Sequence, residues 1–171
     1  FKEAIQSVLN QTFRDFELLL LDDGSTDSSL QIARSFADSR IKVISDGENH
    51  GLAYRLNELV SMAQGKYFVR MDADDIMHTK RLEMQLAYLK EHADVDVLGT
   101  YSYSIDTNNQ LMGVLRKALV VDNIQIIIAH NCLTHPSVMA QTQWFKDNPY
   151  DEKALRMEDF NLWLRTFDKY K

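Results

Sequence analysis

FELLLLDDGSTDSS, residues 16–29, is the stretch that decides how this chain is read. After Glu17 four leucines follow without a polar gap, then two acids and a glycine stop the run. A strand with one wet face would alternate; an unbroken apolar run suits a strand buried on both faces, as in a parallel sheet. Residues 23–29 are turn chemistry. Ser25, Thr26 or Asp27 can cap a helix predicted to run to about Ala37.

The pattern repeats outward from this unit. Phe1, Ile5, Val8 and Leu9 have helical spacing over residues 1–11. IKVIS (41–45) reads as a second strand. The loop DGENHG (46–51) leads into a helix to about Ala63, with Gly65 as its C-cap. KYFVRMD (66–72) is a third strand, Arg81–His92 an amphipathic helix, and VDVLGTYSYSI (95–105) a fourth strand. Asn108-Asn109 makes a turn from which LMGVL (111–115) returns as a hairpin. Residues 121–130 read as helix, 137–141 as extended chain, and Met157–Tyr170 as helix. Alternating strands and helices predict one α/β domain over residues 1–171, with a mostly parallel central sheet and helices on both faces.

A chain of 171 residues, 45% hydrophobic, can bury a single core. The net charge of −6 excludes a general nucleic-acid binder, which needs a basic face. Cys132 is the only cysteine, so no internal disulfide can form and a reducing, cytoplasmic setting is expected. No apolar run is long enough to span a bilayer. The chain begins at Phe1 and ends within a helical pattern, and is expected to be a piece of a longer protein.

Ligands of open α/β sheets bind at the carboxyl ends of strands, and two acid clusters sit there: Asp22-Asp23 and Asp72, Asp74 and Asp75. The first pair also reads as a turn with a helix cap, and the second cluster as a solvated loop entering a helix. Three acids within four positions exceed what a cap needs. A calcium-hand loop would want glycine at its sixth position, where counting from Asp72 finds Met77. No lysine-bearing phosphate loop and no GxGxxG is present, which removes P-loop and dinucleotide readings. Asp-x-Asp at a strand end suits Mg²⁺ or Mn²⁺, which take one or two carboxylates and complete the shell with water and phosphate. A diphosphate is then the natural partner.

Five segments carry a resemblance: AIQSVLNQTFRDFELLLLDDGSTDSS (4–29), ENHGLAYRLNELVSMAQGKY (48–67), VRMDADDIMHTKRLEMQ (69–85), LTHPSVM (133–139) and MEDFNLWLR (157–165). In this order and spacing they resemble the family 2 glycosyltransferases of the bacterial surface-polysaccharide type. That resemblance implies the GT-A, Rossmann-like fold and inverting transfer from a nucleotide-diphosphate donor, with a lean to UDP-sugars, to a glycan or lipid-linked acceptor. It implies Mn²⁺ or Mg²⁺ as cofactor. Residue by residue, Asp23 matches the acid that bonds the nucleotide base, Asp72 the position near ribose and metal, Asp74 the metal-ligating acid, and Asp159 the general base. Glu158, its neighbour, is a substrate-side acid that caps the helix or holds a neighbour, and the pair also reads as a plain helix start. The resemblance further implies that a central strand precedes Phe1 and that a C-terminal part follows. It places the enzyme in the cytoplasm or peripherally on the cytoplasmic face of a membrane. Thr79 and Asn161 depart from the residues common in the family, outside the proposed contacts.

Other residues read structurally. His135 reads as a satisfied core or loop histidine, with a late metal ligand as the alternative; His50 is an exposed loop residue, Arg70 a partner for one of the acids, and Cys132 a small buried apolar residue. Leu162, Trp163, Leu164 and Phe167 are helix core, although Trp163 could edge an acceptor site. The alternative to an enzyme is a silent domain that binds a nucleotide sugar or a protein.

Overall fold

The leucine run forms β1 (Leu18–Asp22) and pairs in parallel with β2 (Ile41–Ser45), from Leu18 opposite Ile41 to Asp22 opposite Ser45. The computed structural model describes residues 1–117, 121–130 and 132–169. Ahead of β1 stands α1 (Lys2–Leu9); between the strands lies α2 (Ser29–Arg34), which ends about a turn earlier than predicted. Ser28, not one of the three predicted residues, is the N-cap, while Asp27 Oδ1 accepts the Ser29 amide at 2.9 Å.

The chain continues through α3 (Leu52–Met62), β3 (Tyr67–Val69) and α4 (Arg81–Glu91). Helix α3 closes on Ala63 in extended backbone, so Gly65 is not its C-cap. The predicted fourth strand divides into β4 (Val97–Leu98) and β5 (Ser102–Ile105), and β5 forms the expected antiparallel hairpin with β6 (Leu111–Leu115). Beyond the hairpin come α5 (Ile124–His130), a 3-10 turn at His135–Ser137, β7 (Met139–Gln141), α6 (Thr142–Asp147) and α7 (Glu158–Thr166). Helix α6 was not predicted. Tyr170, the predicted end of the last helix, lies outside the described residues.

The sheet is less parallel than expected. Strand β7 runs antiparallel to both β3 and β4 and sits between them. It arrives from the α5 side of the chain and not through a strand–helix–strand crossover, so the rule linking crossovers to parallel pairing does not govern it. The expected helices on both faces are present. Val138 and Ala140 point into a core with Leu56, Phe145, Leu162 and Trp163, whereas Met139 packs with Val8, Met77, Leu82 and Leu89. This alternation along β7 puts α3, α6 and α7 on one face and α1 and α4 on the other.

Among the described residues β1 and β3 share no ladder. Between them lies a cavity of about 1140 Å³, walled by Leu18–Leu21 and by Tyr67–Met71.

Candidate active site

Acids predicted for a donor site line that same cavity: Asp22 at the end of β1 and Asp23 just past it, Asp72 and Asp74 beyond β3. Two strand ends thus bring the two clusters to one opening, as the strand-end argument required.

Asp23 is held tightly. Its Oδ1 accepts the His50 amide at 2.7 Å and Arg55 Nε at 2.8 Å; its Oδ2 accepts the Gly51 amide at 3.0 Å. Gly51 has φ of 88°, which lets the backbone turn so that both loop amides face one carboxylate. Burial pushes the Asp23 carboxyl up, but those three donors together hold it below its ordinary value. A carboxylate has about four acceptor sites, and these three donors leave about one of them open.

Residues 72–75 turn sharply, with the Asp75 amide on the Asp72 carbonyl at 3.3 Å. Helix α1 anchors the segment after this turn: Ser7 Oγ accepts the Met77 amide, and the wholly buried Gln11 bonds the His78 carbonyl and the Leu82 amide. Partial desolvation, then the negative charges of Asp72 and Asp74, raise the Asp75 carboxyl above its usual value. Such crowding favours a cation nearby. Among the described residues no group of three or more His, Cys, Asp or Glu side chains is placed to hold a metal by itself. Two carboxylates that leave most of an ion's shell to phosphate and water fit a Mg²⁺ or Mn²⁺ that arrives with a diphosphate.

Arg70, 5% exposed, forms an ion pair with Asp72, Nη2 to Oδ1 at 2.5 Å, as its expected role as partner to an acid requires. Arg81 crosses beneath the turn and donates to the carbonyls of Arg70 and Pro136, tying α4 to the His-Pro-Ser segment. His135 Nε2 lies 2.9 Å from the Tyr150 hydroxyl, and its ring meets Trp163 edge-on. Burial first, then the Arg70 charge, lowers His135 to about 4, against the opposing pull of Asp159 and Asp72. His135 is therefore neutral at ordinary pH and satisfied, as read from the sequence.

Asp159 lies half-buried on the first turn of α7, which Leu162 and Trp163 seat in the core. Glu158 Oε1 accepts the Arg156 amide at 3.0 Å, where Arg156 takes a φ of 62°. Cys132 is buried, and Trp163 is core. Sequence reasoning missed Arg55, Gln11, Arg81 and Tyr150. All four are buried or nearly so and work through hydrogen bonds to distant segments, for which no local pattern exists.

This α/β architecture opens a cavity at the ends of β1 and β3, with acids on both rims. The sequence matches the model of glycosyl transferase family 2 over residues 1–145, and the chain belongs to that family. It is 33% identical over 169 residues to an uncharacterised glycosyltransferase of Methanocaldococcus jannaschii, covering 96% of this chain and 58% of that one. It is 31% identical over 163 residues to the UDP-Glc:alpha-D-GlcNAc-diphosphoundecaprenol beta-1,3-glucosyltransferase WfgD of Escherichia coli, covering 94% and 62%. The chain therefore spans about three fifths of the length of these relatives. Among solved structures, Staphylococcus aureus TarS superposes with a TM-score of 0.72 at 27% identity, over 94% of this chain and 29% of that one. The fold is the GT-A fold expected from the sequence. No helix among the described residues is long and apolar enough to cross a membrane.

Proposed function

We propose that this chain is the donor-binding and catalytic part of an inverting glycosyltransferase. It moves a sugar from a nucleoside diphosphate, with UDP-sugars the leading donors, to a hydroxyl of a glycan or lipid-linked acceptor in surface-polysaccharide synthesis, on the cytoplasmic side of a membrane. The observation that carries this reading is the cavity between β1 and β3, whose rim brings Asp22 and Asp23 together with Asp72 and Asp74. The printed name of the Escherichia coli relative, with its UDP-glucose donor and diphosphoundecaprenol acceptor, supports the donor and acceptor classes.

In this reading Asp23 accepts a hydrogen bond from the base, and Asp72 and Asp74 face the diphosphate. The acceptor oxygen attacks the anomeric carbon from the face opposite the diphosphate. The carbon–oxygen bond to the diphosphate breaks as the new one forms, and Asp159 takes the acceptor proton. One displacement inverts the anomeric centre. A Mg²⁺ or Mn²⁺ held by Asp74 and Asp72 would supply Lewis-acid stabilisation to the departing diphosphate.

The open seam between β1 and β3 would suit the central strand that the resemblance places ahead of Phe1. The walls are apolar, and neither strand has a ladder partner on that side among the described residues. An extended segment of the same polypeptide, apolar on both faces, would pair with both and end between Asp23 and Asp72.

The test is transfer by the full-length protein from UDP-sugars to a diphospholipid-linked sugar with Mn²⁺, with the product anomer read by NMR. Inverted product is expected. Tight donor binding without turnover on any acceptor would overturn the enzyme reading in favour of a silent binding domain.

A further inference from the structure

Two buried arginines grip the two donor-side acids, and they differ in one respect. Arg55, like Arg70, is about 95% buried on the side-chain scale. Arg55 is satisfied throughout: Nε bonds Asp23, Nη1 bonds Asp46 and Glu58, and Nη2 bonds Asp46 and the Glu48 carbonyl. Among the described residues Arg70 has one charged partner, Asp72, in an ion pair through Nη2, while its Nε and Nη1 are shut away from solvent with no hydrogen-bond acceptor.

An arrangement of this kind is costly. A buried N–H without an acceptor loses its water and gains nothing, and a buried ion pair is often no more stable than apolar side chains of equal volume. Local packing alone would be served better by a leucine or methionine at this position. The backbone leaves the side chain little choice of direction: the Arg70 amide donates to the Val138 carbonyl at 3.0 Å, and its own carbonyl accepts Arg81 Nη2 at 3.0 Å. Arg70 is thus fixed under the 72–75 turn, aimed at a carboxylate that stays 41% exposed at the cavity rim.

We propose that Arg70 is a positioning residue for the donor site. It holds the Asp72 carboxylate in the orientation that receives the nucleoside diphosphate and its cation, and acts on the ligand only through Asp72. This rests on the proposed donor-site reading. It assigns to a buried strand-end arginine a role separate from that of Arg55, which organises Asp23 and the 46–51 loop.

The test is a double-mutant cycle on the full-length protein, with the affinities for UDP, dTDP and GDP measured by calorimetry in Mn²⁺. Asp72→Asn and Arg70→Gln should each weaken the best-bound nucleotide by about tenfold, the size expected when one charged hydrogen bond is lost. If Arg70 works through Asp72, the double variant should be no more than about twofold weaker than the poorer single variant. Paired with Asp23→Ala, Arg70→Gln should instead multiply the losses. Arg70→Lys, which keeps the charge and can make a single contact, should recover part of the affinity, and it serves in place of Arg70→Gln should that variant not fold. Losses that multiply between Arg70 and Asp72, or an Arg70→Lys protein no better than Asp72→Asn, would overturn the proposal and leave the donor site standing. A parent protein that binds none of the three nucleotides would overturn both.

Discussion

Arg55 Nε donates to Asp23 Oδ1 at 2.8 Å, and the same guanidinium reaches Asp46, Glu58 and the Glu48 carbonyl. One side chain of α3 thereby ties the end of β1 to the whole 46–51 loop. Asp23 has two tasks in consequence: it anchors that loop and, in the proposed reading, offers its remaining lone pair to the nucleotide base.

Asp23→Ala should therefore lower two quantities at once. Three donors lose their acceptor, so stability should fall by about 1–3 kcal/mol, measured by urea unfolding. Affinity for UDP should fall as well, and more than affinity for a nucleoside diphosphate whose base bonds differently. If stability drops while every nucleotide binds as before, Asp23 is a loop anchor and nothing more.

Asp74 is exposed at the cavity rim, where it can meet a cation. Asp74→Asn should abolish the part of nucleotide-induced thermal stabilisation that depends on Mn²⁺, and leave the melting temperature of the unliganded protein within about 2 °C, as for most surface changes. Chelating the metal from the parent protein should have the same effect on nucleotide binding. An Asp74→Asn protein that still responds to Mn²⁺ would remove this residue from the metal site.

Much of this arrangement could be read from local pattern. The Leu18–Leu21 run, the acids that stop it and the Asp72–Asp75 cluster are contiguous, and a buried strand ending in ligand-facing acids leaves that signature. The position of β7 could not be read. Three residues, Met139–Gln141, carry too little periodicity to reveal that they insert between β3 and β4, and only the packing of Val138, Met139 and Ala140 on opposite faces decides it. Helix α6 escaped for a similar reason: TQWFKD offers less than two turns. The supports of the site were hidden more deeply. Gln11 and Arg81 look like ordinary polar helix residues until the fold sets Gln11 on the chain that follows the Asp72–Asp75 turn and Arg81 on the Arg70 carbonyl ahead of it.

The His135–Tyr150 pair leads to a pH dependence. In the folded chain His135 protonates at about 4, against 6.5 for an ordinary histidine, because burial and the Arg70 charge outweigh Asp159 and Asp72. Between pH 6.5 and 4 the unfolded chain takes up a proton that the folded chain refuses. The histidine's contribution is thus complete above pH 6.5 and is lost as pH falls toward 4. His135→Gln keeps a polar group for Tyr150 and cannot titrate. The difference in unfolding midpoint between parent and variant should shrink steadily across that window. A difference that stays constant from pH 7 to 4 would show that His135 does not resist protonation.

The remaining prediction concerns the proton that leaves the acceptor. Asp159 and Glu158 are adjacent, but a helix turns about 100° per residue, so the two carboxylates point apart. Glu158 is occupied with the Arg156 amide, which leaves it a structural task at the start of α7. Asp159 stands one turn before Trp163, whose ring meets His135, so packing of α7 fixes the direction in which Asp159 points. General-base help is worth ~10²–10⁴-fold. Asp159→Asn should lose transfer by about that factor while UDP and Mn²⁺ bind as in the parent, because the asparagine keeps the shape and gives up only the proton acceptor. Glu158→Gln should transfer at close to the parent rate and lose a little stability, since a neutral amide oxygen still accepts the Arg156 amide but more weakly. Rates measured with one donor and one acceptor at saturation, beside nucleotide affinities, separate the two roles. Normal transfer by Asp159→Asn with loss in Glu158→Gln would assign the base to Glu158 instead.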